Sequence, residues 1–538
     1  MSHPVADPET PDPRRRLALL VAVAAAVRAL LLLLPRQIRW DEPAYLLIGR
    51  SLWSGGGFTL TGAPEVHYPP LFPALFGGTW KLVGSPEAAT NLWLVVAGAL
   101  LVLPVHALAA RAFDRRVAFG AALLVAVFPG LTTSVLYWGS MTEPVFVLLL
   151  YWAAWLVLRG VEAGDWRRPA AAGAVLALAY LGRPEAVGWA VSLAAAAVAV
   201  RALAGKLRSW RTAAILAALG LSFALFAVPY VLYLHRETGL WMLSGKLGIT
   251  YDLGAAVLTS DAARYDEITN AIDPETGEVR WESERRFETP PAPRTASLAV
   301  RVLGNLRRIA ARAAVQPVFP IALLPFVFVA WLGKSWRRDR WAAEAWLWAS
   351  ALPVLAFLAY HVHQRFFAPA FPALLVWTAA GLATAGDWLA RRWPAAGRWP
   401  WRALLVAVAA SFALAHATVL RTQLPTLRDV HRDAGLWLRD NSPADARVLA
   451  YELAVCVWAR RSCLQFPRAS IEDVLAYARE RGGSYVLIDE EESREARPFL
   501  LPLLDPAANL PEGLERVFTT SDAHGRAVVF RIVPYRRP

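Results

Sequence analysis

Two adjacent carboxylates, Asp41 and Glu42, stand in "PRQIRWDEPAY" directly after an apolar run. Acids that close to a membrane boundary cost desolvation energy unless something uses or pairs them. A carboxylate there can act as general base toward a hydroxyl. Adjacent residues on a helix point about 100° apart, so one acid faces a given reacting atom while the other orients the loop. A helix N-cap made by Asp41 is the plain alternative. Glu143, in "GSMTEPVFVLL", is a third acid where a helix begins, a place its charge also favours through the helix dipole. Arg183 in "YLGRPEA" and Arg365 in "HVHQRFFAPAF" carry donor forks that suit phosphate oxygens. Lys246, in "LSGKLG", is a further cation of the same kind. Snorkelling to the interface would also account for the arginines, and Glu185 offers Arg183 a nearby partner. His67 and Tyr68 in "EVHYPP", with His361 and His363, can hydrogen-bond a phosphate or an acceptor. With Glu65 or Glu143 the three histidines could also hold a divalent metal, but no metal is expected as a requirement. No Gly-rich phosphate loop, Ser-His-Asp series or zinc-type cysteine spacing accompanies them.

The elements that must position these residues are membrane helices. Hydrophobic residues make up 56% of the 538, charged residues only 18%, and the mean hydropathy is positive. Crossing a hydrocarbon core takes about 17–25 apolar residues. Eleven runs qualify, near 17–35, 89–110, 117–137, 144–158, 170–182, 186–204, 212–234, 313–333, 341–360, 366–390 and 402–420. Those near 144–158 and 170–182 are short for full spans. Basic clusters follow Arg14–Arg16 in alternate short loops: "RAFDRR", "RGVEAGDWRR", "GKLRSWR", "GKSWRRDRW" and "RRWPAAGRWPWR". The Lys/Arg bias places that side, with the N-terminal residues 1–16, in the cytoplasm of a cell-membrane protein. The net charge of +13 comes largely from these loops, so nucleic acid is not an expected partner. Arg28, inside the first run, is costly in lipid and is expected to pair with a buried carbonyl or acid.

The other side then receives a loop at 36–88, a long segment at 235–312 and a tail at 421–538. The first loop reads as two short helices around a Gly-rich turn, lying on or dipping into the leaflet. The long segment closes on "SLAVRVLGNLRRIAARAA", apolar on one helical face and basic on the other, which suits the membrane surface. The tail reads as a small extracytoplasmic α/β domain: a helix, a turn at Asn441–Pro443, a strand, a Ser470-capped helix stopped at Gly482–Gly483, strand "YVLID" and a closing hairpin. Cys456 and Cys463 both lie in it, and either a disulfide or two buried thiols is compatible with that compartment. Chemistry on the outer face has no cytosolic nucleotide-sugar or ATP to draw on, so its substrate would arrive linked to lipid.

The Asp41–Glu42 pair, "PPLFPAL", "TEP" at the head of a later helix, "GRPEA" and "QRFFAPAFPAL" follow one another in an order similar to that of the GT-C membrane glycosyltransferases. The branch they most resemble contains the dolichyl-phosphate-mannose-protein mannosyltransferases and bacterial aminoarabinose transferases. The resemblance runs from about residue 14 to 535. It implies an enzyme moving a hexosyl or pentosyl group from a polyprenyl-phosphate-linked donor to an envelope acceptor: lipid, glycan or protein. It makes Asp41 the expected base, Glu42 its partner, and Glu143 a cavity-facing acid. A transporter or flippase of lipid-linked saccharides is the alternative; that would call for internal repeats and polar groups near the bilayer midplane. Here the polar residues gather at span ends.

Overall fold

The computed structural model describes residues 13–246, 256, 261–272, 279, 298–312, 318–360, 362–397 and 399–533. The N-terminal half is a run of helices: α1 (Pro13–Leu31), α2 (Asp41–Trp53), α3 (Leu71–Val83), α4 (Pro86–Leu100), α5 (Val102–Ala112), α6 (Arg115–Val127), a single turn α7 (Thr133–Leu136), α8 (Glu143–Ala163), α9 (Arg167–Gly182), α10 (Ala186–Leu203) and α11 (Trp210–Thr238). Their starts are chemically marked. The Ser85 hydroxyl caps α4 ahead of Pro86, and the Asp114 carboxylate accepts from the Val117 N–H to open α6.

Among the described residues, seven helices are long and apolar enough to cross a bilayer: 86–112, 143–163, 186–203, 210–238, 338–359, 364–392 and 399–426. They coincide with seven of the eleven expected runs. The other four differ for visible reasons. The first helix carries four arginines, Arg14–Arg16 and Arg28. The run at 117–137 breaks after Val127, because Pro129 disfavours helical backbone at Phe128, which is extended. At 16 residues, α9 spans about 24 Å, short of the roughly 30 Å core. The apolar helix at Ile321–Leu332 is shorter still. Arg28 meets its expectation: it is fully buried and donates to the carbonyls of Ala24, Ala126 and Leu131 at 3.0–3.1 Å. Two of those carbonyls flank the break after α6, so the guanidinium satisfies backbone groups that a continuous helix would have bonded itself.

Both short helices expected in the first loop form, α2 and α3, joined through a two-strand hairpin, β1 (Thr59–Leu60) with β2 (Ala63–Pro64). They touch backbone to backbone. A methyl group on Gly49 would sit 2.2 Å from the Pro73 carbonyl, and one on Gly77 would sit 2.3 Å from Gly49. The proline-spaced runs "PPLFPAL" and "FFAPAFPALL" are packed core, with Phe72, Phe76, Pro369 and Phe371 buried. Of the long segment, the amphipathic helix Leu298–Arg312 is described. Its Asn305 amide donates to the carbonyls of Leu358 and Tyr360.

The tail forms the expected helices, strands and closing hairpin and adds a further edge strand, β4, in a five-stranded sheet of order β4-β3-β5-β7-β6. The strands are β3 (Arg447–Ala450), β4 (Ser462–Gln465), β5 (Tyr485–Asp489), β6 (Leu514–Ser521) and β7 (Arg526–Ile532). Strands β4, β3 and β5 are parallel, and the hairpin β6–β7 joins antiparallel to β5. Alternation gives the sheet two buried faces. Val448, Leu487 and Val529 belong to a core continuous with the membrane helices, whereas Leu449, Ile488 and Phe530 pack under the helix Ile471–Glu480. Cys456 and Cys463 are bridged.

The glycine crossing yields a stability test. Gly49→Ala forces α2 from α3 and should cost about 1–3 kcal/mol by overpacking, whereas Gly220→Ala meets nothing within 4 Å. Thermal unfolding in detergent should show a lowered Tm for the first variant and an unchanged or raised Tm for the second.

Candidate active site

The first two acids diverge, as their helical step requires. Helix α2 begins at Asp41, preceded by Trp40 at φ 59 and ψ −114, a conformation that a bulky residue adopts only under constraint. Several groups impose it. The Trp40 N–H donates to Glu452 Oε1 at 3.0 Å, the Glu42 N–H donates to the Gly139 carbonyl at 3.0 Å, and Arg39 donates to the Tyr137 carbonyl at 2.7 Å. Glu42 turns inward, fully buried. It takes a two-pronged contact from Arg36 at 2.9 and 3.0 Å and a hydrogen bond from Thr90 at 2.7 Å. Its carboxylate is committed to holding α2.

Asp41 turns the other way and caps nothing. A quarter of its side chain is exposed, its Oδ2 lies 3.1 Å from Arg365 Nη2, and the Tyr68 hydroxyl donates to Oδ1 at 3.3 Å. Burial pushes the Asp41 carboxyl up, but Arg365, then Lys246 and Arg183, outweigh it and hold the group below the usual carboxylate range. The Lys246 ammonium lies over the Tyr68 ring, 4.5 Å from its centroid. Burial lowers its pKa, and Asp41 and Glu185 only partly restore it. Arg365 also reaches the Trp138 carbonyl, at 3.5 Å, and stacks on Phe366. It is therefore engaged inside the protein rather than snorkelling.

Arg183 joins the same constellation through Phe366, whose ring lies near both guanidinium groups. It bridges Glu143 at 2.9 Å and Glu185 at 2.6 Å. Glu143 is almost fully buried at the head of α8, and its second oxygen accepts from the Ser140 hydroxyl at 2.8 Å. Met141, two residues before Glu143, also holds a positive φ.

Among the described residues, the histidines that could have held a metal do not gather into a set of three ligands. His67 is buried, with its backbone N–H on Glu65 and its ring edge-on to Tyr68. His363 caps a short helix, its Nδ1 accepting the Arg365 N–H at 3.2 Å, and His361 lies outside the described residues. The single group of three potential ligands among the described residues lies elsewhere, in the tail. Sequence reasoning missed Arg36, Thr90, Tyr45 and Glu452. Arg36 had a signal, a cation six residues before a costly acid. Tyr45 packs edge-on against Tyr68 at 5.2 Å and belongs to the apolar spacing of α2. Nothing local marks Glu452, 412 residues from its partner.

Residues 67–233 match the family model described as dolichyl-phosphate-mannose-protein mannosyltransferase. The ArnT protein of Cupriavidus metallidurans, in a structure bound to undecaprenyl phosphate, superposes with a TM-score of 0.61 at 14% identity, over 97% of this chain and 98% of that one. The fold is that of the GT-C glycosyltransferases. The Archaeoglobus fulgidus oligosaccharyltransferase, in its complex with Zn and sulfate, gives 0.58 at 17% identity over 95% of this chain and 72% of that one. The same organism's AglB, with an inhibitory peptide and a dolichol-phosphate, gives 0.54 at 17% identity over 96% and 74%. No curated protein matches by sequence. Within this fold, the short segment from Arg36 to Glu42 is held from α4 through Thr90, from the helix 399–426 through Gln423 and from the tail through Glu452.

The two acids should separate by stability. Glu42→Gln leaves Arg36 buried without its carboxylate, a loss of about 3–5 kcal/mol, and should lower the Tm sharply. Asp41→Asn, at a partly exposed pair, should unfold close to wild type in the same detergent assay.

Proposed function

We propose that the protein is a membrane glycosyltransferase that moves a sugar, a hexose or a pentose, from a polyprenyl-phosphate-linked donor to an envelope acceptor. The observation that carries this reading is Asp41: a partly exposed carboxylate held ionised among Arg365, Lys246 and Arg183, at the head of a helix that other groups anchor. The undecaprenyl phosphate and dolichol-phosphate held by ArnT and AglB supply the donor class.

In this reading the donor phosphate competes with Asp41 for Arg365. Once the guanidinium moves to the phosphate, Asp41 keeps Tyr68 and becomes a stronger base. It takes the proton of the acceptor hydroxyl as that oxygen bonds to the sugar's anomeric carbon. The bond from that carbon to the phosphate oxygen breaks, and the polyprenyl phosphate leaves with its charge met by Arg365 and Lys246. Cationic stabilisation of that developing charge, acting away from bulk water, is the larger part of such catalysis. Among the described residues of the site, Glu42 and Glu143 are tied to Arg36 and Arg183, so neither stands ready as a second, nucleophilic carboxylate. That supports a single displacement with inversion at the anomeric carbon. Glu143 acts through Arg183, fixing where the cation points. His67 and His363 frame Tyr68 and Arg365. Transport is the poorer reading, because the ionisable groups gather at helix ends.

The same reading sets the N-terminus in the cytoplasm and the site and tail on the outer face of the cell membrane. Its support is that α8, α9 and the helix reaching Arg392 each carry a site residue at or next to one end and a basic loop at the other. Reporter fusions after Pro169 and Ser442 should report opposite sides; equal signals would overturn the orientation.

Transfer of radiolabelled sugar from a polyprenyl-phosphate pool by purified protein tests the chemistry. Asp41→Asn should lose about 10²–10⁴-fold in rate with donor binding retained. Arg365→Lys should weaken donor binding roughly tenfold or more, since Lys keeps the charge without the fork. Near-normal transfer by well-folded Asp41→Asn would remove Asp41 from the role of base.

A further inference from the structure

Within the tail, the start of the helix Val430–Asn441 faces the end of β5 across a buried cluster of charge. His431 is 5% exposed and Asp489 1%. Asp489 uses one oxygen twice: Oδ1 accepts from Arg428 Nη1 at 2.9 Å and from the Glu492 N–H at 3.0 Å, capping the helix Glu490–Ala496. Its Oδ2 has no hydrogen bond and points toward His431 Nε2, 3.6 Å away. Glu492 Oε1 approaches the same nitrogen to 3.1 Å, yet neither ring nitrogen of His431 has hydrogen-bond geometry. Three ligand-type atoms thus converge, one imidazole nitrogen and two carboxylate oxygens, all within 4.8 Å of one another.

Arg428 is the permanent cation, shared among Asp489, Glu491 and Asp522 at 2.9, 2.7 and 3.2 Å. Glu492 adds a fourth carboxylate, and Glu452 lies within electrostatic reach of His431 and Glu492. Of these carboxylates Asp489 is the buried one, and an oxygen buried without a hydrogen bond calls for a positive charge at the point it faces.

We propose that His431 Nε2, Asp489 Oδ2 and Glu492 Oε1 bind one divalent transition-metal ion of the zinc class. Metal–ligand bonds of about 2.0–2.1 Å at tetrahedral angles place ligand atoms roughly 3.3 Å apart. The observed 3.1 and 3.6 Å bracket that spacing. Arg428 on the far oxygen of Asp489 is the kind of outer contact that orients a ligating carboxylate. The fourth position would be filled by water. The ion pins the helix Val430–Asn441 to the Asp489–Glu492 turn, beside the Glu452 that holds the Trp40 N–H. Its place is a structural joint under the candidate active site, separate from the Asp41 constellation.

The test uses the full chain in detergent, equilibrated with Zn²⁺, freed of excess and assayed by elemental analysis. About one equivalent should remain, chelation should lower the Tm, and Zn²⁺ should restore it. His431→Gln should retain less than a tenth of that zinc at a concentration that saturates the wild type. Glu492→Gln, at a less buried position, provides a second variant should the first fold poorly, and should bind at least about tenfold more weakly. The double variant His67→Gln/His363→Gln should keep its zinc, which separates this site from one near Asp41. Wild type that retains no zinc, or full retention in Glu492→Gln and His431→Gln, would overturn the proposal and leave the cluster an imidazolium ion pair.

Discussion

The pairing of Glu42 with Arg36 is the contact on which the rest of the site depends. A carboxylate excluded from water at the edge of a bilayer needs a partner held in fixed geometry, and Arg36 supplies two donors while Thr90 on α4 supplies a third. That bond fixes the rotation of α2 about its axis. Once the rotation is fixed, the preceding acid has one direction left, toward Arg365 and Tyr68. The two acids are neighbours in sequence and unlike in circumstance: one is spent on architecture, the other is left partly open. The glycine crossing with α3 sets the remaining freedom, the translation of α2, and with it the distance from Asp41 to Tyr68.

Much of this was legible in the residues. Hydropathy gave the seven long helices because a span must bury every backbone polar group within itself, which leaves a long apolar signature. The tail's elements were legible because Ser470, Gly482 and the alternating strands act locally. The shorter helices were not, since whether 117–137 continues past Pro129 depends on a distant guanidinium, Arg28, taking up the freed carbonyls. The disulfide was not legible, since the helix Ala454–Ala459 and the pairing of β4 with β3 together set Cys456 beside Cys463.

For the site, residue types and their positions at helix ends pointed to Asp41, Glu143, Arg183, Lys246 and Arg365. The pairwise matching did not follow from type. Arg365 with Asp41, and Arg183 with Glu143, are choices made by packing among several permutations of like charges. The histidines illustrate the converse: three similar residues in similar loops suggested one cluster, whereas His67 and His363 each serve a separate local turn.

Glu452 reaches the head of α2 from 412 residues further along the chain. The ribosome therefore delivers the strained Trp40–Asp41 corner long before it delivers the group that holds it. Through most of synthesis the membrane helices exist without that restraint, and the corner can relax toward ordinary backbone angles. The geometry of that corner is set late, when the tail has folded and docked, so a half-made chain does not yet hold Asp41 in its final place.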